Sequence, residues 1–181
     1  MSLNQVEPTA EGNPCVMVIF GATGDLTKRK LIPALLNLAK EEVLSKRFAI
    51  IGVAGNDLDT ESFRKTLGEE MPQFASDPID LKMWDWLKER IYFIKGDFQD
   101  ADTYKRLKQQ IDGANKVHDT GGNKFFYLAV APRFFAPIVQ QLGDAGLTKE
   151  EDDKWARVIV EKPFGHDLAS AVQLNSDLKK S

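Results

Sequence analysis

The chain lacks the features that would place it outside a reducing cytoplasm or in a membrane. Cys15 is its one cysteine, so no disulfide can form within the chain. No apolar run approaches the roughly 20 residues of a membrane-spanning helix. Residues 1–13 lack the basic start and apolar centre of a signal peptide, and they predict a disordered leader. We therefore expect a cytoplasmic protein with no membrane contact.

An excess of basic residues is also missing. The 24 lysine and arginine residues are outnumbered by 27 aspartate and glutamate residues, and the net charge is −3. Binding along a nucleic acid backbone needs a strong basic excess, so we expect no nucleic acid partner. A local pocket for a small anion stays compatible with this charge. No metal site is predicted.

What the sequence does contain is an alternation of apolar runs and helical patterns. Continuous β-branched runs are typical of strands that are covered on both faces. The alternation predicts an α/β fold with a doubly wound, Rossmann-like parallel sheet and the strand order 3-2-1-4-5. The predicted strands are 15–20, 48–54, 91–98, 124–132 and 156–163, and the predicted helices are 26–41, 59–71, 78–90, 100–111, 133–145 and 167–179.

Two glycines separate the first strand from its helix in "VIFGATGDLTKRKLIPALLNL", residues 18–38. This is where a doubly wound sheet places its phosphate loop. Gly21 permits a tight turn, Gly24 lets the backbone approach a pyrophosphate, and the helix N-terminus faces the anion. Thr27 occupies the third position, so the spacing differs from G-x-G-x-x-G. The pattern therefore favours phosphate binding and a purely structural turn about equally.

The charged residues after these glycines differ in their predicted roles. A carboxylate beside a pyrophosphate would be repelled, so Asp25 is interpreted as a helix N-cap. Lys28 can offer charge to a phosphate. Arg29 and Lys30 are predicted to lie on a solvated helix face.

Longer stretches resemble one enzyme family. "FGATGDLTKRKLIPALLNL" is similar to the coenzyme loop of the glucose-6-phosphate dehydrogenase family. "FAIIGVAGNDL", "FFYLAVAP" and "RVIVEKPFGHDLASA" resemble its second, fourth and fifth strands, in order. The resemblance covers about residues 15–181, and the combination of the glycine loop with "EKPFG" is specific.

The resemblance implies oxidation of glucose 6-phosphate at C1 to 6-phosphogluconolactone, with hydride transfer to NADP⁺, the first step of the pentose phosphate pathway. The glycine loop would hold the coenzyme phosphates, Asp97 and Phe98 would lie on the adenine side, and Ala129 and Pro132 on the nicotinamide side. The implied coenzyme contacts are Gly21, Ala22, Thr23, Gly24, Asp25, Leu26, Lys28, Gly55, Asp97, Phe98, Ala129, Pro132 and Lys162.

Lys162 of "EKPFG" is also the implied substrate contact. Its place at the carboxyl end of a predicted strand independently favours a ligand-binding role, because open α/β sheets bind ligands at that edge. A solvent-facing loop lysine is the alternative. Glu161 is interpreted as a residue that orients this loop.

One departure from the family concerns coenzyme choice. The family has an arginine after its second strand that contacts the coenzyme 2′-phosphate, and this chain has Gly55 there. Asn56 can bond to either form of the ribose, and an inward Asp57 would favour a free 2′-hydroxyl. The sequence therefore predicts NADP⁺ as the coenzyme but leaves NAD⁺, or use of both, open.

A second departure concerns catalysis. The family's catalytic histidine lies in an R-I-D-H-Y-L-G-K-E segment, which this chain does not contain. His118 is predicted to be solvated in a polar loop, and His166 is not expected to be the base, so no catalytic residue is predicted. We expect residues 14–181 to form a dinucleotide-binding domain without its C-terminal substrate and oligomerisation domain. Alone, the chain should bind dinucleotide weakly and be inactive, whereas the parent is expected to be a homo-oligomer.

Two other functions stay open. Other sugar oxidoreductases join a dinucleotide fold to an E-K-P lysine, although their loop is normally G-x-G-x-x-G. A non-catalytic dinucleotide-binding module is the second alternative, because a fold does not fix a function.

Overall fold

The fold is a single parallel β-sheet with helices on both faces. The computed structural model describes residues 11–74, 78–151 and 153–161. Its sheet has the order β3-β2-β1-β4-β5, which confirms the predicted order. The strands are β1 (Cys15–Phe20), β2 (Phe48–Ala54), β3 (Ile91–Lys95), β4 (Lys124–Leu128) and β5 (Ala156–Val160).

Five α-helices connect these strands within the described residues. They are α1 (Ile32–Lys40), α2 (Thr60–Glu70), α3 (Leu81–Lys88), α4 (Ala101–His118) and α5 (Phe135–Asp144). A π-helical turn (Thr27–Leu31) precedes α1, and 3₁₀ turns follow α2 (Met71–Gln73) and precede α5 (Pro132–Phe134). The predicted last helix, 167–179, lies outside the described residues.

Alternate side chains of the central strand enter two separate cores. Val18 and Phe20 of β1 point to the face covered by α4 and α5, where Leu107 and Ile138 are fully buried. Ile19 points to the opposite face, which α1, α2 and α3 cover. Because both faces of β1 are buried, its sequence is continuously apolar, as expected for a central parallel strand.

Aspartates begin three of the helices. Asp59 accepts a hydrogen bond from Ser62 N at 2.7 Å, which confirms the predicted start of α2. Asp80 accepts from the backbone of Lys82 and Met83, and Asp100 begins α4 in the same way. Each carboxylate satisfies backbone N–H groups that have no partner inside the helix.

Several elements differ in length from the prediction. β4 ends at Leu128 rather than at residue 132, β5 ends at Val160 rather than at residue 163, and α3 spans Leu81–Lys88 rather than 78–90. β3 ends at Lys95 rather than at residue 98, because its partner β2 ends at Ala54, which pairs with Lys95. Helix α4 continues to His118 rather than ending at residue 111, because Ala114 extends its buried stripe and Gly113 does not break it. Asp119 then ends the helix with a φ of +51°.

The described part of the predicted leader contacts the folded domain. Gly12 N donates to Val43 O at 2.7 Å, and Glu11 accepts from Lys46 N at 3.0 Å. Residues 1–10 lie outside the described residues.

No helix in the described part of the chain is both long and apolar enough to cross a membrane.

Candidate functional site

The candidate site lies at the carboxyl edge of the sheet, where β1 separates β2 from β4 and the strand order reverses. Backbone hydrogen bonds continue past the strand ends and fix the loops to one another. Gly21 N donates to Val53 O, Ala129 N donates to Phe20 O, and Gly96 N donates to Ala54 O, each at 2.9 Å. Ligands of doubly wound sheets bind in the crevice at such a reversal.

Gly21 is the residue that lets the loop after β1 pack against the loop after β4. Its φ is +81°, and an added Cβ would lie 2.2 Å from Ala129 O. A side chain is excluded by both the backbone conformation and the contact. The predicted requirement for glycine at this turn is therefore confirmed.

Behind this turn, two small residues let the loop sit close to the sheet. The side chain of Ala22 is fully buried, and an added Cβ at Gly52 of β2 would lie 2.7 Å from the Cβ of Ala22. Ala22 can therefore offer only its backbone to a ligand. Thr27 is also fully buried, and its hydroxyl donates to Gly21 O at 3.4 Å. Thr27, at the third position of the glycine pattern, thus stabilises the turn from its buried side.

Gly24 is the exposed tip of the turn. Its N–H donates to Gly21 O at 2.9 Å, and its carbonyl accepts from Lys28 N at 3.2 Å. The helix that follows starts with the π-helical turn, a feature that is frequent at functional sites. The start of this helix faces the same edge as the tip, so its first N–H groups are available to an anion.

The prediction that Asp25 caps this helix is wrong. The helix start at Leu26 has no side-chain cap, and the carboxylate of Asp25 instead lies 3.7 Å from Arg29 Nε. Arg29 and Lys30 are exposed, as predicted, and the guanidinium of Arg29 also lies 4.8 Å from the ring centre of Phe74.

Lys28 differs from its two basic neighbours because it is held by a carboxylate from another helix. Its Nζ lies 2.9 and 2.8 Å from the two carboxylate oxygens of Glu70, at the end of α2. The side chain of Lys28 is only 21 % exposed, so the ammonium is fixed beside the glycine turn. Sequence reasoning did not find Glu70, which is 42 residues away in the chain.

The loop after β2 contacts the glycine loop through one side-chain pair. Thr23 Oγ1 donates to Asn56 Oδ1 at 2.7 Å. Gly55 is exposed, and an added Cβ there would meet no atom within 4 Å. Asp57 forms an ion pair with Lys95 at 2.8 Å.

A cleft of about 610 Å³ opens between the ends of β2 and β3. Tyr104 donates to Phe98 O at 2.7 Å, and the Phe98 ring meets Phe134 edge to face at 5.5 Å, so the loop after β3 is anchored. The cleft therefore has an apolar wall and a charged rim. Its lining residues are Gly55, Lys95, Gly96, Asp97, Phe98, Asp100, Arg106 and Phe134.

The other side of the glycine turn is formed by the ends of β4 and β5. Ala129 is half-buried, and Pro132 is exposed at the start of its 3₁₀ turn. Tyr127 donates a hydrogen bond to the Glu161 carboxylate. Partial burial of the ring and this hydrogen bond raise the pKa of Tyr127 to about 12. Lys162 lies outside the described residues, but its neighbour Glu161 is at this edge of the sheet.

His118 is not solvated in a polar loop, and that prediction is wrong. It is the last residue of α4, it is half-buried, and its Nε2 lies 2.8 Å from Tyr92 Oη. Burial, and then the charges of Arg90 and Arg64, lower the pKa of His118, whereas Glu89 opposes them. This histidine lies at the end of α4 away from the glycine turn, so it is a structural residue.

We expect His118 to make folding stability pH-dependent. Its lowered pKa means that the unfolded chain binds a proton more readily, so the free energy of unfolding should fall as the pH drops below about 6.5. His118→Gln removes the titrating group and should flatten this slope. Urea unfolding at several pH values measures the effect, and an unchanged slope in the variant would assign the dependence to another group.

No group of three histidine, cysteine, aspartate or glutamate side chains in the described residues is arranged to hold a metal ion. The described site consists of an open glycine turn, a fixed lysine and a cleft with one apolar wall. These parts suit an extended ligand with a pyrophosphate at its centre, because the turn lies between the cleft and the ends of β4 and β5.

Comparisons with known proteins agree with this geometry. The family model described as "Glucose-6-phosphate dehydrogenase, NAD binding domain" matches residues 18–181. Glucose-6-phosphate 1-dehydrogenase of Chlamydia pneumoniae is 39 % identical over 171 residues, which are 93 % of this chain and 33 % of that protein. Glucose-6-phosphate 1-dehydrogenase 2 of Mycobacterium bovis is 40 % identical over 162 residues, which are 90 % of this chain and 32 % of that protein.

Solved structures of glucose-6-phosphate dehydrogenases also match this chain. The crystal structure of glucose-6-phosphate 1-dehydrogenase from Mycobacterium avium matches with a TM-score of 0.79 and 35 % identity, over 92 % of this chain and 34 % of that chain. A glucose-6-phosphate dehydrogenase in complex with its substrate glucose-6-phosphate matches with a TM-score of 0.78 and 32 % identity, over 93 % of this chain and 34 % of that chain. This chain spans about a third of the length of these relatives. The two alternative functions are not favoured, and the chain belongs to the glucose-6-phosphate dehydrogenase family, over its NAD-binding domain.

Proposed function

We propose that this chain is the coenzyme-binding part of an enzyme that oxidises glucose 6-phosphate to 6-phosphogluconolactone and reduces NADP⁺. The observation that carries the proposal is the glycine turn at the strand-order reversal, where Gly21 leaves no room for a side chain and Gly24 is open to solvent. Because the chain spans about a third of its relatives' length, the activity is proposed for the longer protein.

The residues of the turn suit the pyrophosphate of a nicotinamide dinucleotide. The helix start after Gly24 and the Lys28 ammonium both offer positive charge at one edge, and the missing side chain of Gly24 leaves that edge open. Lys28 would contact the phosphates, while Glu70 holds its side chain in place. Thr23 and Leu26, which flank the tip, would contact the coenzyme, and Asp25 would contribute its backbone. Ala22, whose N–H donates to Val53 O at 3.3 Å, would support the turn from below.

The two ends of the coenzyme would lie on opposite sides of this turn. The cleft bounded by Asp97 and Phe98 suits the adenine, since a flat ring can pack on its apolar wall. Ala129 and Pro132 would border the nicotinamide, which supplies the hydride acceptor when it is bound.

The sugar phosphate would approach from the nicotinamide side. Lys162 would contact both coenzyme and substrate, and a lysine there can donate to sugar hydroxyls or offset phosphate charge. The Tyr127–Glu161 hydrogen bond, which fixes the residue before Lys162, supports this placement. The base that accepts the C1 hydroxyl proton would come from a part of the protein outside this chain. We also propose a cytoplasmic, homo-oligomeric parent that acts in the pentose phosphate pathway.

Calorimetric titration of this chain with NADP⁺ and NAD⁺ tests the proposal. We expect saturable binding, which Lys28→Ala weakens by roughly tenfold for both coenzymes, because an ammonium–phosphate contact is lost. Lys40→Ala, an exposed lysine at the other end of α1, is the matched control and should bind as the unmodified chain does.

The whole reaction is tested on the longer protein by following coenzyme reduction with glucose 6-phosphate. Reduction that needs the sugar phosphate supports the proposal. If neither coenzyme binds at millimolar concentration, the glycine turn is only a turn and the proposal is wrong.

A further inference from the structure

The residue after β2 has no side chain, and a cation from the neighbouring strand lies beside it. Lys95 is the last residue of β3, and it pairs in register with Ala54, the last residue of β2. Gly55 follows Ala54 directly and lines the same cleft as Lys95. The Lys95 ammonium therefore belongs to the part of the site that a doubly wound sheet presents to the adenine ribose.

Asp57 holds this ammonium. Its Oδ1 lies 2.8 Å from Lys95 Nζ, and the bond joins the loop after β2 to the end of β3. The side chains are exposed by 92 % for Asp57 and 55 % for Lys95, so a ligand can reach both. A lysine ammonium has three donors, and Asp57 Oδ1 accepts from one of them.

The other charged side chains that line the cleft are engaged with the backbone. Arg106 donates to Lys95 O at 2.8 Å, Asp97 accepts from Gln99 N at 2.8 Å, and Asp100 accepts from Asp102 N at 3.0 Å. These bonds fix the loop after β3 and the start of α4. The Asp57–Lys95 pair, by contrast, joins two exposed side chains, and such pairs are weak enough to exchange partners with a ligand.

We propose that Lys95 is the residue that binds the 2′-phosphate of NADP⁺, and that Asp57 positions it and accepts the free 2′-hydroxyl of NAD⁺. The inference rests on the proposed function, since it assigns one end of the same coenzyme site. An acidic side chain after the second strand suits a 2′-hydroxyl, and a nearby cation suits a 2′-phosphate. With both present and paired, the chain accepts both coenzymes.

The pairing also explains why Asp57 does not exclude NADP⁺. A lone carboxylate beside a 2′-phosphate would repel it, but Lys95 offsets that charge at 2.8 Å. The ammonium can donate to phosphate oxygens while it keeps its bond to Asp57. Coenzyme choice is thus set by a pair of side chains from two loops rather than by a side chain at position 55.

Dissociation constants of both coenzymes for Lys95→Met and Asp57→Asn test the inference. Lys95→Met keeps the apolar stem and should weaken NADP⁺ binding by about tenfold, with NAD⁺ changed by less than about threefold. Asp57→Asn keeps a side-chain oxygen that can accept from Lys95 but removes the charge, so it should weaken NAD⁺ binding several-fold and leave NADP⁺ unchanged or tighter. Lys105→Met removes an exposed lysine from a similar ion pair, with Asp102 at 2.7 Å on α4, and should change neither coenzyme.

The outcomes separate this inference from the proposed function. If the unmodified chain binds both coenzymes and Lys95→Met weakens them equally, or weakens neither, the assignment of Lys95 is wrong and the glycine turn stands. If Asp57→Asn leaves NAD⁺ binding unchanged, the role of Asp57 is wrong. Failure of the unmodified chain to bind either coenzyme overturns both proposals.

Discussion

Replacing Gly21 with alanine is expected to lower the free energy of unfolding by about 3 kcal/mol or more. The φ of +81° costs a residue with a Cβ about 1 kcal/mol or more by itself. The new methyl group would also lie 2.2 Å from Ala129 O. The backbone of Ala129 is held in place because its N–H donates a hydrogen bond to Phe20 O. Neither loop can move without breaking a hydrogen bond that extends the sheet.

Urea unfolding followed by circular dichroism measures this loss, and Gly55→Ala is the matched control. Gly55 lies in a loop at the same edge of the sheet, but an added Cβ there meets nothing within 4 Å. The control should therefore stay within about 0.5 kcal/mol of the unmodified chain. A loss below about 1 kcal/mol in Gly21→Ala would show that the turn tolerates a side chain.

Introducing an arginine at position 55 is expected to favour NADP⁺ over NAD⁺ by roughly 30-fold. The open space around Gly55 gives the new side chain room without disturbing the fold. A charge-assisted, two-point contact of a guanidinium with the 2′-phosphate is worth about 2 kcal/mol, which corresponds to that ratio. NAD⁺, which lacks the phosphate, should gain little.

The ratio of the two dissociation constants checks this, with Gly55→Gln as a control that adds a polar side chain without charge. Gly55→Arg should also restore the NADP⁺ binding that Lys95→Met removes, because both cations serve the same phosphate. Equal tightening of both coenzymes would place the guanidinium on the pyrophosphate instead.

The sheet could be predicted because its strands are buried on both faces. β1 and β2 begin and end where their apolar runs do, at Cys15–Phe20 and Phe48–Ala54, and the alternation with helices gave the strand order. The later boundaries were less accurate, since apolar residues continue past the point where pairing stops. In β4 the apolar residues continue to Pro132, but the pairing with β1 and β5 ends at Leu128.

The glycine turn could be predicted from local spacing, but its surroundings could not. The π-helical turn depends on backbone hydrogen bonding that no residue pattern in 18–38 shows. The partners of Lys28 and Lys95 are 42 and 38 residues away, and only the folded sheet brings them together. The charge pattern along the chain therefore gave a wrong prediction of a helix cap at Asp25 and did not indicate Glu70 as the partner of Lys28.

The bonds that join the glycine loop to the ends of β2 and β4 have a consequence for the thermodynamics of association. Gly21 N and Ala129 N are already bonded to backbone carbonyls, so the part of the turn that would meet phosphate is ordered before any ligand arrives. Binding then loses little conformational entropy in the main chain, and the ordering cost falls on exposed side chains such as Lys95 and Asp57. The ordered glycine turn thereby provides the affinity for the pyrophosphate that both coenzymes share. The exposed side chains of Lys95 and Asp57, which become ordered on binding, discriminate between the coenzymes at the ribose.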